Sequence, residues 1–340
     1  MVALAEVRIG VIGAGRIGQI HAQDLAHRIP GAQVGAVADP HFDAALALAS
    51  RLHIPRAEAD YRALLADPTI DAVAVCSSTD THAQIIIEAA QAGKHIFCEK
   101  PIAHDLAAID TALEAVARAG VKLQVGFNRR FDPSFRRLRE MVAEGKIGQP
   151  HILRITSRDP APPPIEYVRA SGGLFFDMTI HDFDMARYML GCEVESIYAV
   201  GGICVDPAIG EAGDIDTAVI TLCFENGAFG AIDNSRQAVY GYDQRVEVFG
   251  SAGMVAAQNN TPDSHVYCNA EGVHAAKPLY FFLERYAESY VAEMRAFVES
   301  IQQDAEPPVT GHDGRIPVLM AMAAERSLHE KRPVRLAEIQ

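Results

Sequence analysis

Apolar strand-like runs alternate with stretches of helical period over the first third of the chain. Val7-Arg8-Ile9-Gly10-Val11-Ile12 is followed by a helix through Gln19–Leu25. Gln33–Ala38 then precedes an alanine- and leucine-rich helix from Ala44, and Ala72–Cys76 precedes a helix over Ala83–Ala92 that stops at Gly93. His95–Cys98, a helix over Asp105–Ala119 ending at Gly120, and Lys122–Val125 complete the series. Strands alternating with helices predict a parallel, doubly wound sheet whose ligand crevice lies at the carboxyl ends of the strands.

The period changes after Arg130. One more helix is expected over Phe135–Gly145. From His151 the chain is mainly strand-like, over His151–Ser157, Val194–Gly202, Asp216–Phe224, Ala228–Ser235 and Gln244–Gly250. Asn226-Gly227 between two of these runs is a hairpin signal. Pro160-Ala161-Pro162-Pro163-Pro164 cannot join a ladder and predicts a stiff loop at a rim or a subunit contact. Phe281–Gln302 reads as one amphipathic helix with Phe282, Tyr286, Met294, Phe297 and Ile301 as core. Asp313 opens a last helix to about His329. The fold class is therefore α/β, with an N-terminal doubly wound parallel sheet and a C-terminal α+β domain on a large open, mainly antiparallel sheet. The expected boundary is linear, 1–127 and 128–340, with the last helix able to pack back toward the first domain.

A helical stretch, Ser171–Asp184, interrupts the second set of strands. At helical spacing Asp177, His181 and Asp184 share one face, while Met178, Phe183 and Met189 fall largely off it as packing surface. A solvated helix face explains such a stripe by itself. Burying a carboxylate–imidazole–carboxylate stripe is costly without a use, so the rest of the chain decides between the two.

Gly13-Ala14-Gly15-Arg16-Ile17-Gly18 follows the first strand and opens the first helix, the context that a G-x-G-x-x-G pattern needs to mean dinucleotide binding. Gly13 permits the tight turn, Gly15 the approach of a pyrophosphate and Gly18 close helix–strand packing. Amide groups at the helix start would hold the phosphates. Asp39 ends the second strand twenty-one residues after Gly18, placed for the adenosine ribose hydroxyls. Pro40-His41-Phe42-Asp43 offers no cation for a 2′-phosphate, so the expected cofactor is NAD. A helix N-cap is the competing role for Asp39. Thr79, His82, Lys100 and Arg129 all lie just past strand ends. Lys100, held extended by Pro101, is suited to hydrogen-bond a reacting hydroxyl and stabilise its oxygen as charge develops.

Composition removes some partners. With 30 basic against 44 acidic residues and no Lys/Arg run, neither nucleic acid nor an anionic membrane is an expected partner. The six cysteines have no metal-ligand spacing, and in His181-Asp182-x-Asp184 the adjacent His181 and Asp182 fall on different helix faces; no metal is expected. Buried free thiols and the absence of a signal sequence in Met1–Glu6 indicate a cytoplasmic protein.

These motifs together, with Glu99-Lys100-Pro101, Gly126-Phe127-Asn128-Arg129-Arg130 and Asp177-x-x-x-His181, resemble the Gfo/Idh/MocA family of nicotinamide-dependent oxidoreductases over essentially the whole chain. The resemblance implies a Rossmann domain, a C-terminal domain on an open sheet, and a homo-oligomer, dimer or homotetramer, built through that sheet. Gly172–Asp184, Val239–Gln244 and Phe282–Tyr286 are similar to the family's inositol 2-dehydrogenase branch. That likeness implies a cyclic polyol substrate, with His181 as general base, Asp177 as its partner and Lys100 orienting the hydroxyl. Arg129, Asp159, Asp184 and Tyr242 would bind ring hydroxyls beside Lys100, Asp177 and His181. The implied cofactor set is Gly13, Gly15, Arg16, Ile17, Gly18, Asp39, Ser77, Thr79, His82, Glu99 and Lys100. Ser157 and Asp159 depart from members that carry His and Asn there, which bears on the preferred stereoisomer.

The chemistry is coherent in its own right. Oxidising a secondary alcohol requires a base for the hydroxyl proton, and a histidine titrating near neutrality supplies one. The cofactor takes the hydride. The leading expectation is oxidation of myo-inositol to 2-keto-myo-inositol. Oxidation of another inositol isomer or an aldose is the enzyme alternative, and a non-catalytic NAD(H) sensor the alternative of another class. A sensor would be marked by loss of Lys100 or His181, and both are present.

Overall fold

The computed structural model describes residues 6–339; residues 1–5, within the segment read for a signal sequence, and 340 lie outside it. Compact contacts divide the chain into two units, Met1–Phe131 with Glu288–Val318, and Asp132–Ala287 with Leu319–Gln340.

The first unit is the doubly wound domain. Its elements run β1 (Val7–Ile12), α1 (Arg16–His27), β2 (Ala32–Ala38), α2 (Phe42–Leu52), β3 (Ala57–Glu58), α3 (Arg62–Leu65), β4 (Ala72–Val75), α4 (Thr79–Gln91), β5 (His95–Glu99), α5 (Leu106–Ala119) and β6 (Leu123–Gly126). The six strands lie in the order β3-β2-β1-β4-β5-β6, every pair parallel. The order reverses between β1 and β4, the switch point where such sheets take their ligands. Every residue of β4 is buried, as expected of a strand covered on both faces. Local chemistry sets the helix ends: Asp105 accepts the Ala108 amide at the start of α5, and Gly120 closes it at φ +66°.

The second unit begins with α6 (Pro133–Ala143), whose N-terminal amides of Ser134 and Phe135 donate to Asp132. There follow β7 (Pro150–Arg158), α7 (Ile165–Ala170), a π-helical turn over Phe175–Thr179, α8 (Ile180–Leu190), β8 (Val194–Gly202), α9 (Pro207–Glu211), β9 (Thr217–Phe224), β10 (Phe229–Ser235), β11 (Asp243–Gly250) and β12 (Gly253–Ala257). A hairpin of β13 (Val266–Asn269) and β14 (Gly272–Ala275), then α10 (Phe282–Arg285), α11 (Ala287–Gln302), α12 (Gly311–Glu330) and β15 (Val334–Arg335), complete the chain. The large sheet runs β12-β11-β7-β10-β9-β8-β15, antiparallel except for β7 against β10. Asn226-Gly227 makes the expected β9–β10 hairpin, with Gly227 at φ +83°.

Compactness divides the chain differently from the linear boundary read in the sequence. Val291, Met294, Phe297 and Val298 of α11 enter the same core as Val11, Leu25 and Phe97 of the first unit. Periodicity reports which face of a helix is apolar and is silent about which core it enters. The single helix expected over Phe281–Gln302 is also interrupted, because Tyr286 leaves helical geometry between α10 and α11. Arg285 there pairs with buried Asp132, and the Tyr286 ring meets Tyr242 edge-on at 6.0 Å.

One face of the large sheet is left open. Met254, Phe249, Ile152 and Phe229 are register neighbours across β12, β11, β7 and β10, each between 39% and 56% exposed. Among the described residues, no helix is long and apolar enough to cross a membrane.

Candidate active site

In the first unit the glycine loop is shaped by close approach. Gly13 stands at φ +103°, and a Cβ there would lie 2.6 Å from the Cys76 carbonyl oxygen. A Cβ on Gly18 would run into the Gly13 carbonyl oxygen, so α1 packs onto the loop only because Gly18 has none. Gly15 faces open space, with no atom within 4 Å of its would-be Cβ, and α1 has neither a side-chain cap nor an acid in its first turn. Unfilled room beside uncapped amides suits a pyrophosphate. Arg16 is exposed and Ile17 half-buried at the same turn.

Asp39 closes the ring around this loop. Its Oδ2 accepts the Ala14 amide at 2.7 Å, and its Oδ1 accepts the His41 amide at 2.8 Å. The carboxylate is thus tied to the glycine loop, and each oxygen keeps a lone pair for a ribose hydroxyl. The competing capping role is not what the structure shows: the N-cap position of α2 is His41, α2 has no side-chain cap, and Asp39 takes the amide of His41 itself rather than one inside the helix.

Ser77 and Thr79 follow β4 half-buried, and Glu99 and Lys100 lie where β5 ends. The Lys100–Pro101 bond is cis. His82 is buried between two backbone carbonyls, with Nδ1 2.8 Å from Pro101 O and Nε2 3.0 Å from Ser77 O. It ties the loop after β4 to the turn that carries Lys100. Arg129 is buried just beyond β6.

In the second unit the stretch carrying Asp177 is not the simple α-helix that its spacing suggested. Asp177 sits within the wider π-helical turn, and His181 and Asp184 lie on α8 behind it. A π turn shifts residues on its two sides relative to an α-helical stripe, and such turns recur at functional positions. The solvated-face reading does not hold. Asp184 and Asp182 are fully buried, Met178, Phe183 and Met189 are core, and Asp177 and His181 remain half-buried. Asn234 of β10 donates to Asp182 at 2.8 Å and accepts from Thr179 at 2.6 Å, pinning the turn to the sheet.

The residues that sequence reading missed are those that hold Asp177. Tyr167 donates its hydroxyl to Asp177 Oδ1 at 2.7 Å, and Arg236 NH1 donates to Asp177 Oδ2 at 2.8 Å. The same NH1 lies 3.6 Å from Asp159 Oδ2. Arg236 is only 2% exposed. Its position follows from register: β7 and β10 run parallel with Arg158 opposite Ser235, so the next residues, Asp159 and Arg236, emerge side by side. Burial works against the Arg236 cation, but the carboxylates of Asp177, Asp159 and Asp214 outweigh it and hold the charge. Burial, then the Asp177 charge, pushes the Tyr167 phenol well up, so it stays a donor. No local motif marks Arg236; it lies fifty-nine residues from Asp177.

Tyr242 is buried, with its amide donating to Leu279 O at 3.0 Å. Ser157, at one of the positions of departure, donates to Gln244 Oε1 at 3.1 Å and is committed inside the sheet.

Comparison with known proteins agrees with both units. Residues 7–127 match the oxidoreductase family with an NAD-binding Rossmann fold, and 135–256 match the GFO/IDH/MocA C-terminal domain. The chain is 51% identical to myo-inositol 2-dehydrogenase of Thermotoga maritima over 98% of its own length and 99% of that protein's. It is 46% identical to inositol 2-dehydrogenase of Rhizobium meliloti, covering 97% and 99%. The structure of scyllo-inositol dehydrogenase from Lactobacillus casei, with bound NAD(H) and scyllo-inositol, superimposes with a TM-score of 0.92 at 32% identity, covering 98% of this chain and 99% of that one. With the glycine loop and Asp39 arranged for the dinucleotide, the chain belongs to the Gfo/Idh/MocA family of oxidoreductases, and its cofactor is NAD.

Proposed function

We propose that this protein oxidises a ring secondary alcohol of a cyclic polyol to the ketone, with myo-inositol as substrate and 2-keto-myo-inositol as product. The observation that carries this reading is the end-to-end 51% identity with the Thermotoga maritima myo-inositol enzyme in a chain that keeps Lys100, Asp177 and His181. The Lactobacillus casei relative, bound to scyllo-inositol, favours other inositol isomers as the second reading. We assign cofactor binding to 1–127 and substrate binding and association to 128–340.

Within this reading the glycine loop and α1 amides hold the pyrophosphate, and Asp39 the adenosine ribose. Arg16, Ile17, Ser77, Thr79 and Glu99 complete the cofactor's surroundings, with His82 fastening Ser77 to Pro101. Bound NAD supplies the hydride acceptor. Lys100 orients the substrate hydroxyl and stabilises its oxygen as the proton departs. His181 takes that proton. Asp177 needs no reorganisation to support it, because Tyr167 and Arg236 already fix both of its oxygens. Asp159, Arg236 and Asp177 carry a residual single negative charge, which favours the imidazolium formed on His181. Arg129, Asp159, Asp184 and Tyr242 hydrogen-bond the other ring hydroxyls.

The exposed row Met254, Phe249, Ile152 and Phe229 supports a dimer or tetramer in which a second copy covers the open sheet face. Unpaired cysteines, two of them (Cys76 and Cys98) buried, support a cytoplasmic location.

Four measurements test these assignments. NADH formation by the purified protein should be most efficient on myo-inositol among myo-, scyllo- and D-chiro-inositol and glucose, and glucose well ahead of every inositol would overturn the substrate class. In the same assay His181→Ala should lower kcat roughly 10²-fold while NADH still binds, as expected on loss of a general base. Arg236→Met leaves two carboxylates without their cation and should cost about 3 kcal/mol in urea unfolding together with turnover; unaltered stability and rate would remove its role. Phe229→Glu should reduce the mass seen by light scattering while the urea midpoint changes little, and an unchanged mass would count against association through this face.

A further inference from the structure

Two buried titratable side chains of the first unit, His21 and Glu293, have no part in the chemistry above and group with Glu99 of the proposed cofactor surroundings. His21 of α1 is fully buried, stacked edge-on against Phe97 at 5.0 Å and Tyr290 at 5.7 Å. Its Nε2 lies 2.6 Å from Oε1 of Glu99, whose side chain is 12% exposed. Glu293 of α11 completes the group, with one atom of each of the three within 4.8 Å of the others. Glu293 is 0% exposed, and neither of its carboxyl oxygens has a hydrogen-bond partner among the described residues.

Two carboxylates this close in a dry core do not both ionise. Glu99 is partnered by the His21 imidazole, whereas among the described residues no cation lies against Glu293. Burial, followed by the charge on Glu99, pushes the Glu293 carboxyl well above the usual carboxylate range. Among the described residues, Cys76, Cys98 and Gln124 also face this group, and none of them is a cation. Burial pushes the thiols of Cys76 and Cys98 up, so both stay neutral, and Gln124 of β6 donates to the backbone carbonyl of Glu293.

Glu99 also has little freedom to move away. A Cβ on Gly126 would lie 3.1 Å from its Oε2 and 3.2 Å from its Cα, so its carboxylate fills the space which that glycine leaves. The next residue is Lys100.

We propose that Glu293 is kept as a neutral carboxylic acid behind the His21–Glu99 pair and is thereby a positioning residue for Lys100. An ionised Glu293 would repel the Glu99 carboxylate from His21 and displace the strand end from which Lys100 projects. The positioning half of this proposal rests on the role of Lys100 in the proposed function; the protonation half stands apart from it.

The two halves are read separately. Infrared difference spectra of wild type against Glu293→Gln, at about pH 7, should show the carbonyl band of a protonated carboxylic acid in wild type only. The sign of the stability effect follows from a raised folded-state pKa: wild type binds more protons folded than unfolded above the ordinary glutamate value of about 4.3. Its stability relative to Glu293→Gln should therefore fall as pH rises through that value. With substrate and NAD, Glu293→Ala should lower kcat about tenfold or more with little change in NAD affinity, and Glu293→Gln, isosteric with the neutral acid, should recover most of that loss. If Glu293→Ala does not fold, the infrared band and the pH slope of Glu293→Gln still decide the protonation, and its kcat against wild type decides the positioning. No acid band, or a Glu293→Gln variant as impaired as Glu293→Ala, would overturn the proposal. So would one equivalent of divalent metal per chain, present in wild type and lost in Glu293→Gln, which would make the group a cation site.

Discussion

The Arg236 guanidinium is the contact on which the second unit's polar interior depends. Two half-buried carboxylates, Asp159 and Asp177, meet near the ends of β7 and the π-helical turn, and the buried Arg236 cation lies between them. Arg236 reaches both from the end of β10, and Tyr167 takes the remaining oxygen of Asp177. The arrangement fixes both oxygens of Asp177 in the π-helical turn ahead of α8, where Met185, Ala186 and Met189 are as buried as Asp184.

The first unit meets the same constraint with different means. Its strands end in a loop whose glycines permit contacts that no side chain would allow, and the Asp39 carboxylate accepts hydrogen bonds from the amides of Ala14 and His41. Backbone amides serve there in place of a cation, which leaves the α1 terminus available to an anionic ligand. Where no amide or cation reaches, at Glu293, the alternative is to give up the charge. Pairing, amide solvation and protonation are three ways of keeping acidic groups inside one chain.

Much of this was legible along the chain because it depends on short windows. The strand–helix alternation, the Gly13–Gly18 turn before α1, the acid at the end of β2 and the cluster of Lys100 and Arg129 past strand ends all follow from local period and backbone demands. The Asn226-Gly227 hairpin is of the same kind. The stripe of Asp177, His181 and Asp184 was legible only as residue types. Its spacing assumes an α-helix throughout, whereas the structure has a π-helical turn over Phe175–Thr179, which Asn234 bonds to the sheet through Thr179 and Asp182.

What the amino-acid sequence determined by itself was therefore the doubly wound sheet, the NAD fingerprint and the inventory of reactive side chains, since each is read from local period and short motifs along the chain. Tertiary structure decided which core α11 joins, which cation holds Asp177, which sheet face stays open and where Glu293 lies. Those outcomes turn on register and on contacts between distant segments: Arg236 meets Asp159 because β7 and β10 are parallel and aligned, and Glu293 meets His21 because α11 packs into the first unit's core. The opening pattern of the chain carries the period of each element, and pairing between elements carries the environment of each charge.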